Sequence, residues 1–256
     1  MIDLHSHILP DLDDGPDSME RALRMARLAV LDGVQVVAAT PHYNNGLYQV
    51  EKPIIVESVA SFNQMLRENE IPLTVVPGQE LHFNGRMTDD LFDRDKVATL
   101  NGSKYVLVEF PPDEVPGQTE EFFHELAVMG LVPVIAHPER NREISQHPDL
   151  LADLIHLGAL SQVTSQSLAG KFGSRLQQLT LELCRRNLAH IVASDAHNES
   201  SRPFLMTEAL ETVRSELGPE YQSYYLSNAG CICNNYEIEI MPPVHVQKRK
   251  LFFWKR

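Results

Sequence analysis

Short apolar runs rich in β-branched residues alternate along the chain with longer stretches in which apolar residues recur every three or four positions. The short runs are nearly continuous, which is typical of strands that are buried on both faces. They predict seven strands, over residues 1–5, 34–40, 73–77, 105–110, 132–136, 160–164 and 190–194.

The longer stretches predict helices between these strands. Ser18 is suited to cap a helix that buries Ala22, Met25 and Ala26 on one face and ends at Gly33. Pro53 suits the first turn of the next helix. Further helices are predicted over residues 119–130, 148–157, 174–186 and 203–217.

Strand followed by helix, about seven times, predicts an α/β protein with a parallel sheet. Closed on itself, such a sheet makes a TIM-like barrel, somewhat short of the usual eight units. An open doubly wound sheet is the alternative. No linker rich in Pro, Gly or Ser divides the chain, so we predict one domain over residues 1–246, followed by a short basic and aromatic tail over 247–256.

Composition narrows the partners and the compartment. The chain has 35 acidic and 22 basic residues and a formal charge of −13, which argues against a nucleic-acid partner and against non-specific binding to acidic membranes. Three cysteines in 256 residues do not indicate a disulfide framework. With neither a signal-peptide pattern nor an apolar run of membrane-spanning length, the sequence predicts a cytoplasmic protein.

Metal-ligating side chains follow six of the seven predicted strands. Because the carboxyl ends of parallel strands share one face, these side chains should converge there. His5-x-His7 and Asp195-x-His197 each place two ligands on one side of an extended segment. The candidate ligands are His5, His7, Asp14, His42, Glu80, Glu109, His137, Asp195 and His197.

Nine ligands are too many for one tetrahedral ion and fit two or three divalent cations. Imidazole and carboxylate together suit Zn, Mn or Fe. Taken singly, each residue has an ordinary alternative: a strand-end histidine often has a structural hydrogen bond, Asp13-Asp14-Gly15 could form a turn, and Glu80 or Glu109 could lie on the surface. Together they favour metal binding, because burying so many polar groups is costly unless something binds them. The other histidines, His82 among them, lack this pattern and are interpreted as ordinary.

Other hydrolytic chemistries lack their signatures. No cysteine is followed by arginine at the Cys-x5-Arg spacing of thiolate phosphatases, since Cys184, Cys231 and Cys233 meet His190, Glu237 and Glu239. His124-Glu125 lacks the second histidine of a zincin protease.

The chain resembles the polymerase and histidinol phosphatase (PHP) superfamily, and more closely the PHP-type tyrosine-protein phosphatases of bacterial capsule and exopolysaccharide loci. The segments that carry the resemblance are Asp3-Leu4-His5-Ser6-His7, Pro41-His42-Tyr43-Asn44-Asn45-Gly46, Pro77-Gly78-Gln79-Glu80, Val108-Glu109-Phe110-Pro111, His137-Pro138-Glu139-Arg140-Asn141 and Ala193-Ser194-Asp195-Ala196-His197.

The resemblance implies a distorted (β/α)7 barrel of the PHP fold with three divalent metal ions. The first ion would be held by His5, His7, Glu80 and Asp195. Glu80 would bridge to a second ion on Glu109 and His137, and Asp14, His42 and His197 would hold the third. Many PHP relatives have histidine where this chain has Glu109, a departure that favours Mn over Zn, with Fe a further choice.

The implied activity is hydrolysis of phosphotyrosine on the tail of a bacterial tyrosine autokinase that controls polysaccharide synthesis, with a metal-bridging hydroxide as nucleophile. Arg140 would contact the phosphate, and Arg202 is a weaker candidate, for which a surface arginine near a helix start is the alternative. Asp195, His197 or a metal-bound water would protonate the leaving group. The alternatives are a histidinol-phosphate phosphatase, another PHP phosphoesterase such as a nuclease, and a non-enzymatic metal-bound scaffold that docks the kinase.

The sequence allows two interpretations of the aromatic residues near the predicted site, and two of the basic tail. Tyr43, Tyr48 and Phe83 follow predicted strands and either stack on a substrate tyrosine or anchor loops. The tail either frays or contacts a partner, which would be the kinase or an acidic membrane surface.

Overall fold

The computed structural model describes residues 1–83 and 96–244, so His245 and the predicted tail lie outside the described residues. The strands are β1 (Ile2–Ser6), β2 (Val36–Ala39), β3 (His42–Tyr43), β4 (Thr74–Pro77), β5 (Glu80–His82), β6 (Tyr105–Glu109), β7 (Val132–Ala136), β8 (Leu160–Thr164) and β9 (Ile191–Ala193). The α-helices in the described part are α1 (Met19–Leu31), α2 (Lys52–Glu68), α3 (Thr119–Val128), α4 (Arg142–Gln146), α5 (Pro148–His156), α6 (Ser165–Leu168), α7 (Ser174–Arg185), α8 (Met206–Leu217) and α9 (Pro219–Cys233), with short 3-10 turns at Leu100–Gly102 and Pro138–Arg140.

All seven predicted strands are present, and two of them continue after a break beyond their predicted ends. The second, predicted over 34–40, contains β2 and is followed after Pro41 by β3. The third, predicted over 73–77, contains β4 and is followed after Gly78 and Gln79 by β5. Every pairing is parallel, in the orders β1-β2-β4 and β3-β5-β6-β7-β8-β9. Pro41 has no N–H to donate, so the ladder of hydrogen bonds cannot continue through it. The segments before the two breaks, β2 and β4, belong to the first sheet, and the segments after them, β3 and β5, belong to the second.

The last strand returns to the first. The Asp195 N–H donates to the His5 carbonyl at 2.7 Å, and the His7 N–H donates to the Ala196 carbonyl at 2.8 Å. Strand order therefore follows chain order all the way round, whereas a doubly wound sheet starts near its middle and runs to both edges. The fold is the predicted distorted TIM-like arrangement with seven strand positions.

Apolar side chains on both faces of the strands are buried. Along β6, Val106 and Val108 belong to the large core beneath the helices, while Tyr105 and Leu107 belong to a second cluster that includes Ile232 of α9. This alternation confirms strands that are covered on both sides.

The helix boundaries agree with the sequence at the start and depart from it near the end. The Ser18 hydroxyl accepts from the Arg21 N–H, as expected of a cap. The last predicted helix begins only at Met206, because Leu205 has a left-handed backbone with φ of 51°. Helix α9 was not predicted, since its buried side mixes Tyr225 and Asn228 with smaller residues and gives a weak stripe. Within the described residues, no helix has the length and apolarity needed to cross a bilayer.

Candidate metal centre

The nine predicted ligands meet at the carboxyl ends of the strands. His5, His7, Glu80, Asp195 and His197 are each at most 2% exposed. Three groups have ligand atoms within 4.8 Å of one another. They are His5, His7 and Glu80; His42, Glu80 and Glu109; and His7, Asp14, His42 and His197.

Glu80 lies at the centre, with four imidazoles around one carboxylate. Its Oε1 is 2.9 Å from His137 Nε2 and 3.3 Å from His5 Nε2. Its Oε2 is 3.1 Å from His42 Nδ1 and 3.3 Å from His7 Nε2. Burial alone would raise the pKa of Glu80, but the surrounding imidazoles hold it well below its ordinary value. Glu80 is therefore a carboxylate at neutral pH, suited to bridge two cations.

His5 and His7 are held in the tautomer that a metal requires. His5 Nδ1 donates to Gln162 Oε1 at 2.8 Å, and His7 Nδ1 donates to Asp13 Oδ2 at 2.6 Å. Each ring therefore directs its Nε2 toward Glu80 and Asp195. A metal-ligating histidine commonly has such a hydrogen-bonded partner on its other nitrogen.

Two of the predicted ligands occupy backbone conformations that are unfavourable for their residue types. His137 has φ of 33° and Asp195 has φ of 52°, both in the left-handed region. His137 directly follows β7, Asp195 lies two residues after the end of β9, and each left-handed turn brings the side chain into the cluster. Such conformations cost on the order of 1–3 kcal/mol each and concentrate at functional sites.

Buried atoms without a well-directed hydrogen bond show that the cluster fits cations. His42 Nδ1, Asp195 Oδ1 and His197 Nε2 are buried, and none forms such a bond with the described residues, although polar atoms of Glu80, His5 and Asp14 lie 3.1 to 3.3 Å away. All three belong to predicted ligands, and each, once free of a proton, offers a lone pair that a divalent ion would satisfy. The mixed imidazole and carboxylate set is also the donor chemistry that such ions bind.

Protons and metal ions compete for two of the predicted ligands, His42 and His7. Burial opposes protonation of His42, but the carboxylates of Asp14 and Glu80 beside its ring raise its pKa to about 10. Asp13 likewise raises the pKa of His7 well above its ordinary value, against the effect of burial. Because only a neutral imidazole binds a metal, cations would displace these protons.

The contacts only partly follow the division into three ions that the resemblance implies. His137 and Asp195 extend the group of His5, His7 and Glu80, at 2.9 Å from Glu80 and 3.3 Å from His5 respectively. His7 and His42, however, each belong to two of the three groups. The assignment of each residue to one ion stays a prediction.

Two arginines converge on one oxygen at the edge of this cluster. Arg140 Nη1 and Arg202 Nη2 both donate to Asp195 Oδ2 at 2.5 Å. Both line a cleft of about 380 Å³ together with Asp14, His42, Glu80, Glu109 and His137. Arg202, for which a plain surface role was an open alternative, thus lies in the same cleft as Arg140.

Arg140 is further fixed from two sides. Its Nη2 donates to Gln166 Oε1 at 3.1 Å, and its guanidinium lies 5.0 Å from the centre of the Phe172 ring. A guanidinium held by a carboxylate, an amide and an aromatic face is pre-oriented to bind an anion.

Sequence reasoning did not identify the roles of three polar residues around the ligands. Asp13 and Gln162 orient His7 and His5, and His82, interpreted as ordinary, places Nδ1 3.0 Å from Glu109 Oε2 in the cleft. His82 lies two residues after Glu80 on β5, so the alternation of a strand could have revealed it. Gln162 is separated from His5 by 157 residues, and no local pattern connects them.

The three aromatic residues considered as contacts for a substrate tyrosine differ in their burial. Tyr43 and Phe83 are buried in the core, so they anchor loops, while the Tyr48 ring is stacked 6.2 Å from that of His42.

Burial raises the pKa of the Cys184 thiol to about 12, which makes a thiolate nucleophile unfavourable there.

The chain is similar to known proteins over nearly its whole length. The tyrosine-protein phosphatase YwqE of Bacillus subtilis is 46% identical over 252 residues, covering 98% of this chain and 99% of YwqE. CapC of Staphylococcus aureus is 37% identical over 258 residues, covering 99% of both chains. A crystal structure from a study of YwqE and of CpsB from Streptococcus pneumoniae, described as metal-dependent tyrosine phosphatases, superposes with a TM-score of 0.93 at 45% identity, over 97% of this chain and 100% of the other. The family model described as capsular polysaccharide synthesis, CpsB/CapC, matches residues 1–234, and the chain belongs to this family.

Proposed function

We propose that this protein is a metal-dependent protein-tyrosine phosphatase. The observation that carries the proposal is the convergence of nine candidate metal ligands and two guanidinium groups on one open cleft. Cations and arginines at one point suit a phosphate dianion. YwqE and CpsB are tyrosine phosphatases, which supports the choice of substrate.

The chain's own residues would bind and orient the phosphate. Bound divalent ions would supply neutralisation of the phosphate oxygens and acidify the attacking water. Arg140 and Arg202 donate hydrogen bonds from the cleft wall, and Asp195 holds both guanidinium groups toward the same point. This pre-orientation would stabilise charge as it develops on the transferring phosphoryl group.

At neutral pH Asp195 is a carboxylate and His197 a neutral imidazole, so neither proposed side-chain acid is in its acidic form. Burial would raise the pKa of Asp195, but His5, His7 and the two arginines hold it well below its ordinary value. Burial and the nearby His7 charge lower the pKa of His197 to about 4. We therefore propose that water, rather than Asp195 or His197, protonates the tyrosine oxygen as it leaves.

Three ions, with Mn preferred over Fe or Zn, fit the donor set best. Four of the nine ligands are carboxylates, and Mn is the most oxygen-seeking of the three metals. The substrate we propose is phosphotyrosine on a tyrosine kinase that regulates capsule or exopolysaccharide synthesis. The family's link to capsular polysaccharide synthesis supports this choice.

The test is turnover of a phosphotyrosine peptide by metal-depleted protein before and after Mn²⁺ is added. We expect turnover only with metal, a larger kcat/KM with Mn²⁺ than with Zn²⁺, and loss of activity on chelation. Histidinol phosphate and a phosphoserine peptide serve as parallel substrates. A higher kcat/KM on histidinol phosphate would establish that alternative, and folded protein without metal-dependent turnover would favour the scaffold.

Replacing Arg140 by lysine should lower kcat/KM for the phosphotyrosine peptide by about 10–100-fold without loss of metal. Lysine keeps the charge but loses the fork that binds two oxygens, and removal of a comparable transition-state donor costs about 100–1,000-fold. Steady-state kinetics and metal analysis on the same sample check this.

The matched control is Arg142→Lys, two residues further along. Its guanidinium is paired with Asp113 at the surface and is 70% exposed. Equal kinetics for wild type and Arg140→Lys would exclude Arg140 from the site.

A further inference from the structure

The short turn that carries Arg202, residues 198–202, is closed by a single side chain, and we call it the arginine turn. Asn198 Oδ1 accepts from three backbone N–H groups, those of Ser200 at 3.0 Å, Ser201 at 2.7 Å and Arg202 at 3.1 Å. The Ser201 hydroxyl donates to the same oxygen at 3.0 Å. Asparagine side chains are well suited to bind the backbone that follows them in this way. One amide oxygen thus holds the whole turn together.

Both backbone polar groups of Arg202 are fixed within this turn. Its N–H donates to Asn198 Oδ1, and its carbonyl accepts from the N–H groups of His197 at 2.9 Å and Asn198 at 3.3 Å. From this fixed backbone, the guanidinium reaches Asp195, where Nη2 donates to Oδ2 at 2.5 Å. An arginine side chain has many rotamers, so holding both its backbone and its head group in advance lowers the entropic cost of binding an anion.

The other contacts of the arginine turn are too exposed to replace Asn198. Glu199 pairs with Arg24 at 2.6 Å, but the Arg24 side chain is 45% exposed. Lys171 Nζ donates to the Ser200 carbonyl at 2.9 Å, and Lys171 is likewise exposed. Because exposed ion pairs and flexible lysines contribute little to holding one conformation, the bonds to Asn198 Oδ1 determine the shape of the turn.

The chain on either side of the turn is fixed independently of Asn198. Before the turn, the His7 N–H donates to the Ala196 carbonyl at 2.8 Å. After it, Gln166 Nε2 donates to the Pro203 carbonyl at 2.7 Å. Loss of the Asn198 side chain should therefore loosen the turn locally and leave the fold intact.

We propose that Asn198 is a positioning residue that holds Arg202 ready to bind the phosphate group of the substrate. The inference rests on the proposed function, in which Arg202 contacts that phosphate. Asn198 acts through the backbone of Arg202 and does not itself touch the substrate. Its removal should therefore weaken phosphate binding while Arg202 is present and have no effect once the Arg202 side chain is absent.

The test is the affinity of the Mn²⁺-loaded protein for inorganic phosphate, measured by isothermal titration calorimetry. Asn198→Ala should weaken phosphate binding by about 10-fold at unchanged metal content, since misplacing a group by about 1 Å can cost about 100-fold. Asn198→Asp keeps an acceptor oxygen at the same distance along the side chain and should bind phosphate as wild type does.

A double-mutant cycle separates a role through Arg202 from a general structural role. In the Arg202→Ala background, Asn198→Ala should cause no further loss of phosphate affinity, because the effects of residues that act through one another are not additive. The matched control is Asn69→Ala, which also removes a bond from an asparagine side chain to the backbone. Asn69 Nδ2 donates to the Met65 carbonyl at 2.9 Å at the end of α2, so this variant should bind phosphate as wild type does.

Three results would overturn the proposal. They are an equal loss of affinity from Asn198→Ala in the Arg202→Ala background, loss of metal from Asn198→Ala, and failure of Asn198→Asp to bind phosphate as wild type does. Phosphate binding is measured without turnover. A protein that binds phosphate as expected and does not hydrolyse a phosphotyrosine peptide would therefore contradict the proposed function and still support the role of Asn198.

Discussion

Replacing His137 by alanine is expected to lower kcat/KM for a phosphotyrosine peptide by at least about 100-fold and to reduce the bound metal. His137 Nε2 faces Glu80 at 2.9 Å and Glu109 at 3.7 Å, so its loss removes a nitrogen ligand from the centre of the cluster. Loss of a residue that merely supports a ligand already costs about 10–100-fold, which sets a lower bound for a ligand itself. Kinetics and elemental analysis on the same preparation measure both effects.

The controls separate a lost ligand from a lost fold. His137→Asn suits the left-handed backbone at this position, where asparagine is more common than other residues, and should be as inactive as the alanine variant. His124→Ala removes an exposed histidine of α3 and should leave both readouts unchanged. A folded His137→Ala protein with full activity and full metal content would contradict the metal-site proposal.

The sequence located the candidate site because parallel strands impose a shared edge. Each candidate ligand lies at or after the end of a predicted strand, so its approximate position depends only on where that predicted strand ends. The interrupted strands illustrate this, since His42 and Glu80 begin β3 and β5 and still face one another across the register of those strands. An error of a residue or two in a strand boundary therefore did not disturb the site.

What the sequence could not supply depends on long-range packing. Gln162 faces His5, and both arginines meet on Asp195, because the strand order and the left-handed turn at Asp195 bring them together. Helix α9 covers β1 and β9, a role that its mixed buried face does not reveal in one dimension. These features are set by the whole fold, so no local pattern encodes them.

Asp195→Asn is expected to reduce kcat/KM by at least about 100-fold with little change in backbone, because asparagine suits φ of 52° at least as well as aspartate. The substitution removes one negative charge. Both guanidinium groups would lose the negative charge that they share at Oδ2. At Oδ1, which lies 3.3 Å from His5 Nε2, the carboxylate would be replaced by an amide group, which ligates cations weakly. Elemental analysis distinguishes the two consequences, since metal loss reports the ligand role and retained metal with a raised KM reports the role in holding the arginines.

The same variant should destabilise the metal-free protein in a pH-dependent way. The pKa of Asp195 in the folded protein lies well below its ordinary value, against the effect of burial, so its carboxylate contributes stability at neutral pH that is lost as the pH falls below about 4. Removing one partner of a fully buried pair costs about 3–5 kcal/mol, and the partly exposed arginines here reduce that figure. Thermal unfolding should therefore show a lower Tm for Asp195→Asn than for wild type at pH 7 and a smaller difference in acid, while Asp153→Asn on the exposed face of α5 matches wild type throughout. A difference in Tm that persists unchanged below pH 4 would show that the charge of Asp195 does not stabilise the cluster.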